Sequence, residues 1–204
     1  IGVKIEVVEK KPLQHTLRTV GRVAYDPELY SVLAEYQEAI RAHKELKDNL
    51  ISSVQVEGDQ LVRSAKLKLA QMGVRGLFLQ ELLASQQSRE SLLLPAHTAW
   101  IYADIYEYET GLIRPGQRVK LTAPAFPEKS FSGVVRSVDP ILTAMTRTLK
   151  ARIKVPNAGE MLQPEMFVDV MIQISLGSKL AIPEGALLDS GETQLVFVAK
   201  GEGR

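Results

Sequence analysis

The apolar residues change period twice along the chain, and this constrains the fold more than any other feature. Up to residue 25 they largely alternate: Val3, Ile5 and Val7, then Leu17, Thr19, Val20 and Val23, with Pro12 between the two runs. Such a pattern predicts two short strands joined at a proline break. From Pro27 the spacing becomes three and four, through Leu29, Leu33, Tyr36, Ile40, His43, Leu46 and Leu50, which is one face of a helix. Asp26 is the candidate N-cap, Pro27 suits the first turn, and Glu28 sits near the positive end of the helix dipole. Gly58-Asp59 predicts a turn, after which Val62, Ala65, Leu69 and Met72 form a second stripe. Gly73 and Gly76 interrupt it, and Leu79, Leu82 and Leu83 predict a short third helix.

From Ala99 the period is two again. Trp100, Tyr102, Asp104, Tyr106 and Tyr108 share one strand face; Ile101, Ala103 and Ile105 share the other. Further strands are predicted around Val119, Leu121 and Ala123, and over 131–138, 148–155 and 167–174. In the strand over 148–155, Leu149, Ala151, Ile153 and Val155 read as inward, and Thr148, Lys150, Arg152 and Lys154 as outward. Residues 183–190 read as a loop or short helical turn, and 194–199 as a last strand with no evident partner. Short strands with regular turn spacing predict a small antiparallel barrel or sandwich. The strand–helix–strand order makes the helices an insertion: the first strands must rejoin a sheet completed after residue 99.

Several function classes drop out. Twenty-five Lys and Arg against 24 Asp and Glu leave a net charge of +1, which argues against a strongly basic nucleic-acid binder. No cysteine is present, so disulfides, cysteine zinc sites and a thiol nucleophile are excluded. No apolar run approaches the roughly 20 residues of a membrane-spanning helix. The first residue is Ile1 rather than Met, as expected for a mature or excised stretch. No nucleophile elbow, phosphate loop or dinucleotide fingerprint occurs, so neither catalytic residues nor a cofactor is expected. His15, His43 and His97 lie far apart in the pattern, and no ligand-spaced partner stands beside them. Met145, Met161, Met166 and Met171 invite a reading as thioether ligands for soft monovalent ions, but core packing is the default for methionine. No metal site is expected. Asp104, Glu107 and Glu109 read as a solvated barrel edge rather than a hydrolytic carboxylate pair.

A set of spaced blocks carries a family resemblance. The run 100–107, then Gly116-Gln117-Arg118-Val119, Phe131-Ser132-Gly133-Val134-Val135, Val138-Asp139-Pro140, Thr146-Arg147-Thr148 with Arg152, Asn157, and Leu162-Gln163-Pro164-Glu165-Met166 together resemble periplasmic adaptor proteins, also called membrane fusion proteins, of resistance–nodulation–division efflux systems. Tyr106-Glu107 after the Trp100 strand, Gly21 to Asp26, and the helix start at Pro27 with Glu35-Tyr36 are similar to the heavy-metal branch, of copper/silver or zinc/cobalt type.

The resemblance implies an α+β fold: an antiparallel β-barrel, a partial membrane-proximal β domain, and an inserted α-helical hairpin or short three-helix bundle. On that reading the membrane-proximal domain takes 1–11 and 177–204, the barrel 12–25 and 98–176, the hairpin 26–92 and a connector 93–97. A lipoyl-like domain would be expected on both sides of the hairpin. Here it is either lacking or its residues are missing at 25–27 and 93–98; the matching positions of the two gaps favour the second. The implied role is a non-catalytic adaptor, associated with the inner membrane in the periplasm, that joins a resistance–nodulation–division pump to an outer-membrane channel. It would self-associate, as a hexamer in the assembly, and serve heavy-metal cation export. A drug-efflux or type I secretion adaptor is the alternative, and a periplasmic metal-binding chaperone a more distant one. Apolar Ile51, Val54 and Val56, at a hairpin tip that does not need them locally, are the candidate partner-docking residues.

Overall fold

The computed structural model describes residues 4–46 and 52–199. The chain divides into two units, Thr16–Gln173 and a smaller one made of Ile1–His15 with Ile174–Arg204. Six strands, β1 (Glu9–Val23), β2 (Thr98–Tyr106), β3 (Arg118–Ala123), β4 (Phe126–Val138), β5 (Thr148–Pro156) and β6 (Phe167–Ala181), close a barrel in the order β1-β2-β5-β4-β3-β6. Every strand pair with a defined register is antiparallel. The predicted alternation fills the barrel: Ile101, Ala103, Ile105, Ala151, Ile153 and Val155 are all wholly buried.

Two glycines permit this packing. A Cβ on Gly133 would come within 2.8 Å of the Lys154 carbonyl oxygen and of Val155 Cγ2, and one on Gly21 within 2.9 Å of the Tyr102 carbonyl oxygen. At the β5–β6 connection, the wholly buried Asn157 donates to the Leu162 carbonyl (3.0 Å) and accepts from the Leu162 amide (3.0 Å). That loop takes the left-handed region at three residues, the adjacent Gly159 and Glu160 and, further on, Glu165.

Between β1 and β2 come α1 (Pro27–Leu46), α2 (Ser52–Gln71), α3 (Gly76–Ala84) and the short α4 (Gln86–Glu90). Leu29, Leu33 and Tyr36 of α1, Leu69 of α2, and Phe78 and Leu82 of α3 share one core with Leu92, Trp100 and Tyr102. The outer face of β2 is thus buried at Trp100 and Tyr102, and becomes exposed at Asp104 and Tyr106. Among the described residues no helix is long and apolar enough to cross a membrane.

Four local expectations change. Pro12 lies inside the single long strand β1 rather than at a break, because its φ suits extended backbone and the exposed strand there tolerates the missing donor. Gly58-Asp59 lies inside α2, not in a turn; Gly58 is where α2 meets α1, and a Cβ there would stand 3.2 Å from His43 Nδ1. Tyr108 leaves the strand for a 3-10 turn over Glu107–Leu112, where it stacks on Tyr106 with ring centroids 5.8 Å apart. The last strand, β8 (Gln194–Val196), does have a partner: β7 (Leu187–Asp189), within the expected loop. The turn between them is held by Ser190 Oγ donating to the Thr193 carbonyl (2.8 Å) and by Gly191 at φ +84°.

No lipoyl-like half occurs among the described residues at either expected gap. The two junctions instead bond to one another's surroundings: the Ala24 amide donates to the Trp100 carbonyl (2.7 Å) and the Asp26 amide to the Leu92 carbonyl (2.9 Å).

Candidate functional site: the joint between barrel and hairpin

The register of β2 against β5 decides what the outer face presents. Trp100 stands opposite Lys154, Tyr102 opposite Arg152, and Asp104 opposite Lys150. On a bare barrel these side chains would be solvated. Here Trp100, Tyr102 and Arg152 are buried, Arg152 with only 1% of its surface exposed.

Each leg of the hairpin is fixed to this row. The Tyr102 hydroxyl donates to Asp26 Oδ2 (2.6 Å), while Asp26 Oδ1 accepts from the Leu29 amide (2.9 Å) and so caps the start of α1. Arg152 Nη1 donates to the Met72 carbonyl (2.7 Å), one residue past the end of α2, and also to the Asp139 carboxylate. A cation at a helix C-terminus is favourable toward the unsatisfied carbonyls. The guanidinium also lies 5.1 Å, and the Lys150 ammonium 4.9 Å, from the Tyr102 ring centroid.

Gly73 makes the approach possible. Its φ of +74° reverses the chain after α2, where the Gly73 and Val74 amides bond back to Ala70 and Leu69. A Cβ there would also meet Asp139 Oδ1 at 2.6 Å and Arg152 Nη1 at 3.2 Å. The later helices are tied down alongside. Phe78 packs edge-on to Trp100 at 5.2 Å, Trp100 Nε1 donates to Ser91 Oγ (2.9 Å), and Glu81 accepts from Lys154 (2.6 Å) and pairs with Arg136 (3.4 Å).

Burial, the largest influence, pushes the Tyr102 phenol well above its usual range; the neighbouring Arg152 opposes this and the Asp26 carboxylate adds to it. Tyr102 therefore remains a donor across the whole working pH range. The arrangement holds and orients. Among the described residues no three His, Asp or Glu side chains come together as a metal site.

The residues singled out by sequence are dispersed. His43 faces Asp59 across the hairpin (3.6 Å), His97 borders the start of β2, and His15 belongs to the smaller unit. Met145 is 94% exposed, and Met161 accepts from Lys129 Nζ (3.1 Å). Glu107 pairs with Arg147 (2.5 Å), and Glu109 accepts from the Tyr106 amide (3.3 Å). Of the expected docking residues, Ile51 and the side chain of Val54 lie outside the described residues; Val56 is exposed on α2. Sequence reading missed the buried role of Arg152. The available signal was that its predicted strand face pairs with Trp100 and Tyr102, aromatics that a lone barrel would not leave in water.

Comparison with known proteins agrees with this architecture. Residues 98–175 match the family model described as CusB-like, beta-barrel domain. Over 105 residues, 52% of this chain, the chain is 34% identical to the cation efflux system protein CusB of Escherichia coli K12 and 30% identical to a membrane fusion protein, SilB, of Salmonella typhimurium. Those alignments cover 26% and 24% of the relatives, so the chain spans about a quarter of the length of the curated proteins it matches. Among solved structures, ZneB from Cupriavidus metallidurans superposes with a TM-score of 0.45 at 16% identity, over 96% of this chain and 81% of that one, a likeness too weak to carry function. Residues 98–175 thus match a CusB-like β-barrel domain, and over 105 residues the chain is similar to the cation efflux system protein CusB and to the membrane fusion protein SilB.

Proposed function

We propose that the chain is a non-catalytic periplasmic adaptor that links an inner-membrane resistance–nodulation–division pump to an outer-membrane channel for heavy-metal cation export. The observation that carries this reading is the joint: both legs of a helical hairpin are anchored on one cross-strand pair of a CusB-like barrel. Such an anchor suits a part that transmits position between two partners rather than one that transforms a substrate. In this account residues 1–11 and 177–204 belong to a membrane-proximal domain, 12–25 and 98–176 to the barrel, 26–92 to the hairpin and 93–97 to a connector. The hairpin tip, with Ile51, Val54 and Val56, meets the channel. Copies associate side by side, hexameric in the assembly, so that many modest contacts add up.

A drug-exporting role is the second reading, supported by 28% identity over 130 residues to the macrolide export protein MacA of Yersinia pestis. Deleting the gene and measuring growth against copper, silver, zinc, cobalt and macrolides separates the two. The proposal expects sensitisation to at least one metal and none to macrolides, restored by the wild-type gene. Sensitisation to macrolides alone, or none at all, contradicts it. Tight stoichiometric metal binding by the isolated protein would instead favour a metal-carrying chaperone.

A further inference from the structure

The outer face of the barrel also carries a concave feature, which adjoins the hairpin joint at Lys154 and Arg136 and extends from there to β3. A trough of about 610 Å³ runs over the outer faces of β5, β4 and β3, lined by residues from His97 to Gln173. Its geometry follows from register. Arg118 on β3 pairs with Val134 on β4, which pairs with Lys154 on β5, so one row crosses three strands. The banks are then about 10 Å apart, two inter-strand spacings. The floor is β4, where Ser132, Gly133 and Val134 are short; the banks carry the long side chains of Arg118, Lys120 and Lys154, with Arg136 at the end.

The charge is one-sided. Lys154 and Arg136 share a single carboxylate, Glu81. Among the described residues Arg118 and Lys120 have no carboxylate within ion-pair distance, in a chain whose overall charge is only +1. They stand two residues apart on the outward face of β3, about 7 Å along the strand. Their aliphatic stems, with Val134 and Pro156, make the trough apolar beneath its charged rim.

We infer that this trough binds an extended acidic segment of a partner protein, laid along β4 with alternating carboxylates reaching Arg118 and Lys120. A trough two strands wide holds one extended chain, and an extended chain places residues i and i+2 on the same side at about the spacing of the two cations. Apolar residues at the intervening positions would point to the opposite bank, over Pro156 and the aliphatic stem of Lys154. The surface is independent of the hairpin tip, and its test does not depend on which substrate is exported.

The test uses the whole chain and two fluorescein-labelled eight-residue peptides of equal composition: one alternating Glu and Val, the other with four Glu followed by four Val. Fluorescence anisotropy should show saturable binding of the alternating peptide, about tenfold weaker binding of the blocked one, and about tenfold loss in an Arg118→Glu/Lys120→Glu variant. Glu81→Gln should bind as well as wild type or better. Both cations are exposed, so the variant should retain the wild-type melting profile. Equal affinity for the two peptides, or undiminished binding by the charge-reversed variant, overturns the inference. So does wild-type binding to phosphatidylglycerol vesicles, or self-association, that the same variant abolishes while peptide binding is absent. Those two results assign the trough to a lipid surface or to a second copy.

Discussion

Tyr102 and Arg152 stand directly opposite one another on β2 and β5, and each holds one leg of the helical hairpin: Tyr102 through Asp26 at the start of α1, Arg152 through the Met72 carbonyl at the end of α2. Two helix ends 46 positions apart in sequence, Asp26 and Met72, are thereby fixed by a pair of cross-strand neighbours. The hairpin's orientation is set by the barrel's strand register, and a slip of one residue in either strand would turn that strand's anchoring side chain to the interior.

Arg152→Ala should be among the most damaging single changes. It leaves the Asp139 carboxylate and the Met72 carbonyl without their donor in a largely buried site, a loss of about 3–5 kcal/mol. Urea unfolding checks this. In a double-mutant cycle with Asp139→Ala, the two effects should add to clearly less than their sum, since one change already breaks the shared contact.

The Tyr102 phenol gives a pH signature. Its folded pKa is raised, so the unfolded chain loses this proton first, near pH 10. The contribution to stability is complete below that pH and declines as pH rises above it. Thermal melts of the wild type should therefore drop from about pH 10 upward, beyond the fall shown by Tyr102→Phe. At neutral pH Tyr102→Phe should cost about 1.5–3 kcal/mol, the range for a hydrogen bond to a charged acceptor. Parallel alkaline limbs in the two proteins would show that Tyr102 is not the group responsible.

Gly73→Ala combines strain at φ +74° with a Cβ 2.6 Å from Asp139 Oδ1, whereas Gly111→Ala meets nothing within 4 Å. The first should lower stability by more than 1 kcal/mol, by the order of the left-handed backbone cost alone, and the second should be near neutral. Comparing their melting temperatures isolates the helix–barrel approach from general glycine effects.

Ser137 is buried opposite Arg152, and its hydroxyl has no hydrogen-bond partner among the described residues; Arg152 Nε lacks one too. Ser137→Ala should be neutral or slightly stabilising, because it removes an unpaired buried polar atom rather than a bond. A loss above about 1 kcal/mol in urea unfolding would mean that the hydroxyl is engaged.

These residues also show how far the sequence could be read. The inward alternation of Ile101, Ala103, Ile105 and of Ala151, Ile153, Val155 was legible because a closed barrel has one dry side and period two reports it. Asp26 was legible as a cap because capping is local. Arg152 was not, since its burial comes from helices 80 positions away in sequence, and alternation alone assigns a cation outward. Gly58 misled for a related reason: glycine signals a turn locally, but here it answers a close approach of His43 from the other helix. The hairpin tip and the trough depend on three-dimensional neighbours, and periodicity contains none.

The direct test of the barrel–hairpin account is native-state hydrogen exchange on the wild-type chain and on Arg152→Ala. If the joint makes one cooperative body, the amides of Leu33, Tyr36 and Leu69 should open with the same free energy as those of Ile101 and Ile153. In the variant, the helical amides should lose protection before the barrel does. Helical amides that open far more readily than the barrel in the wild type, or that are indifferent to Arg152, would contradict it.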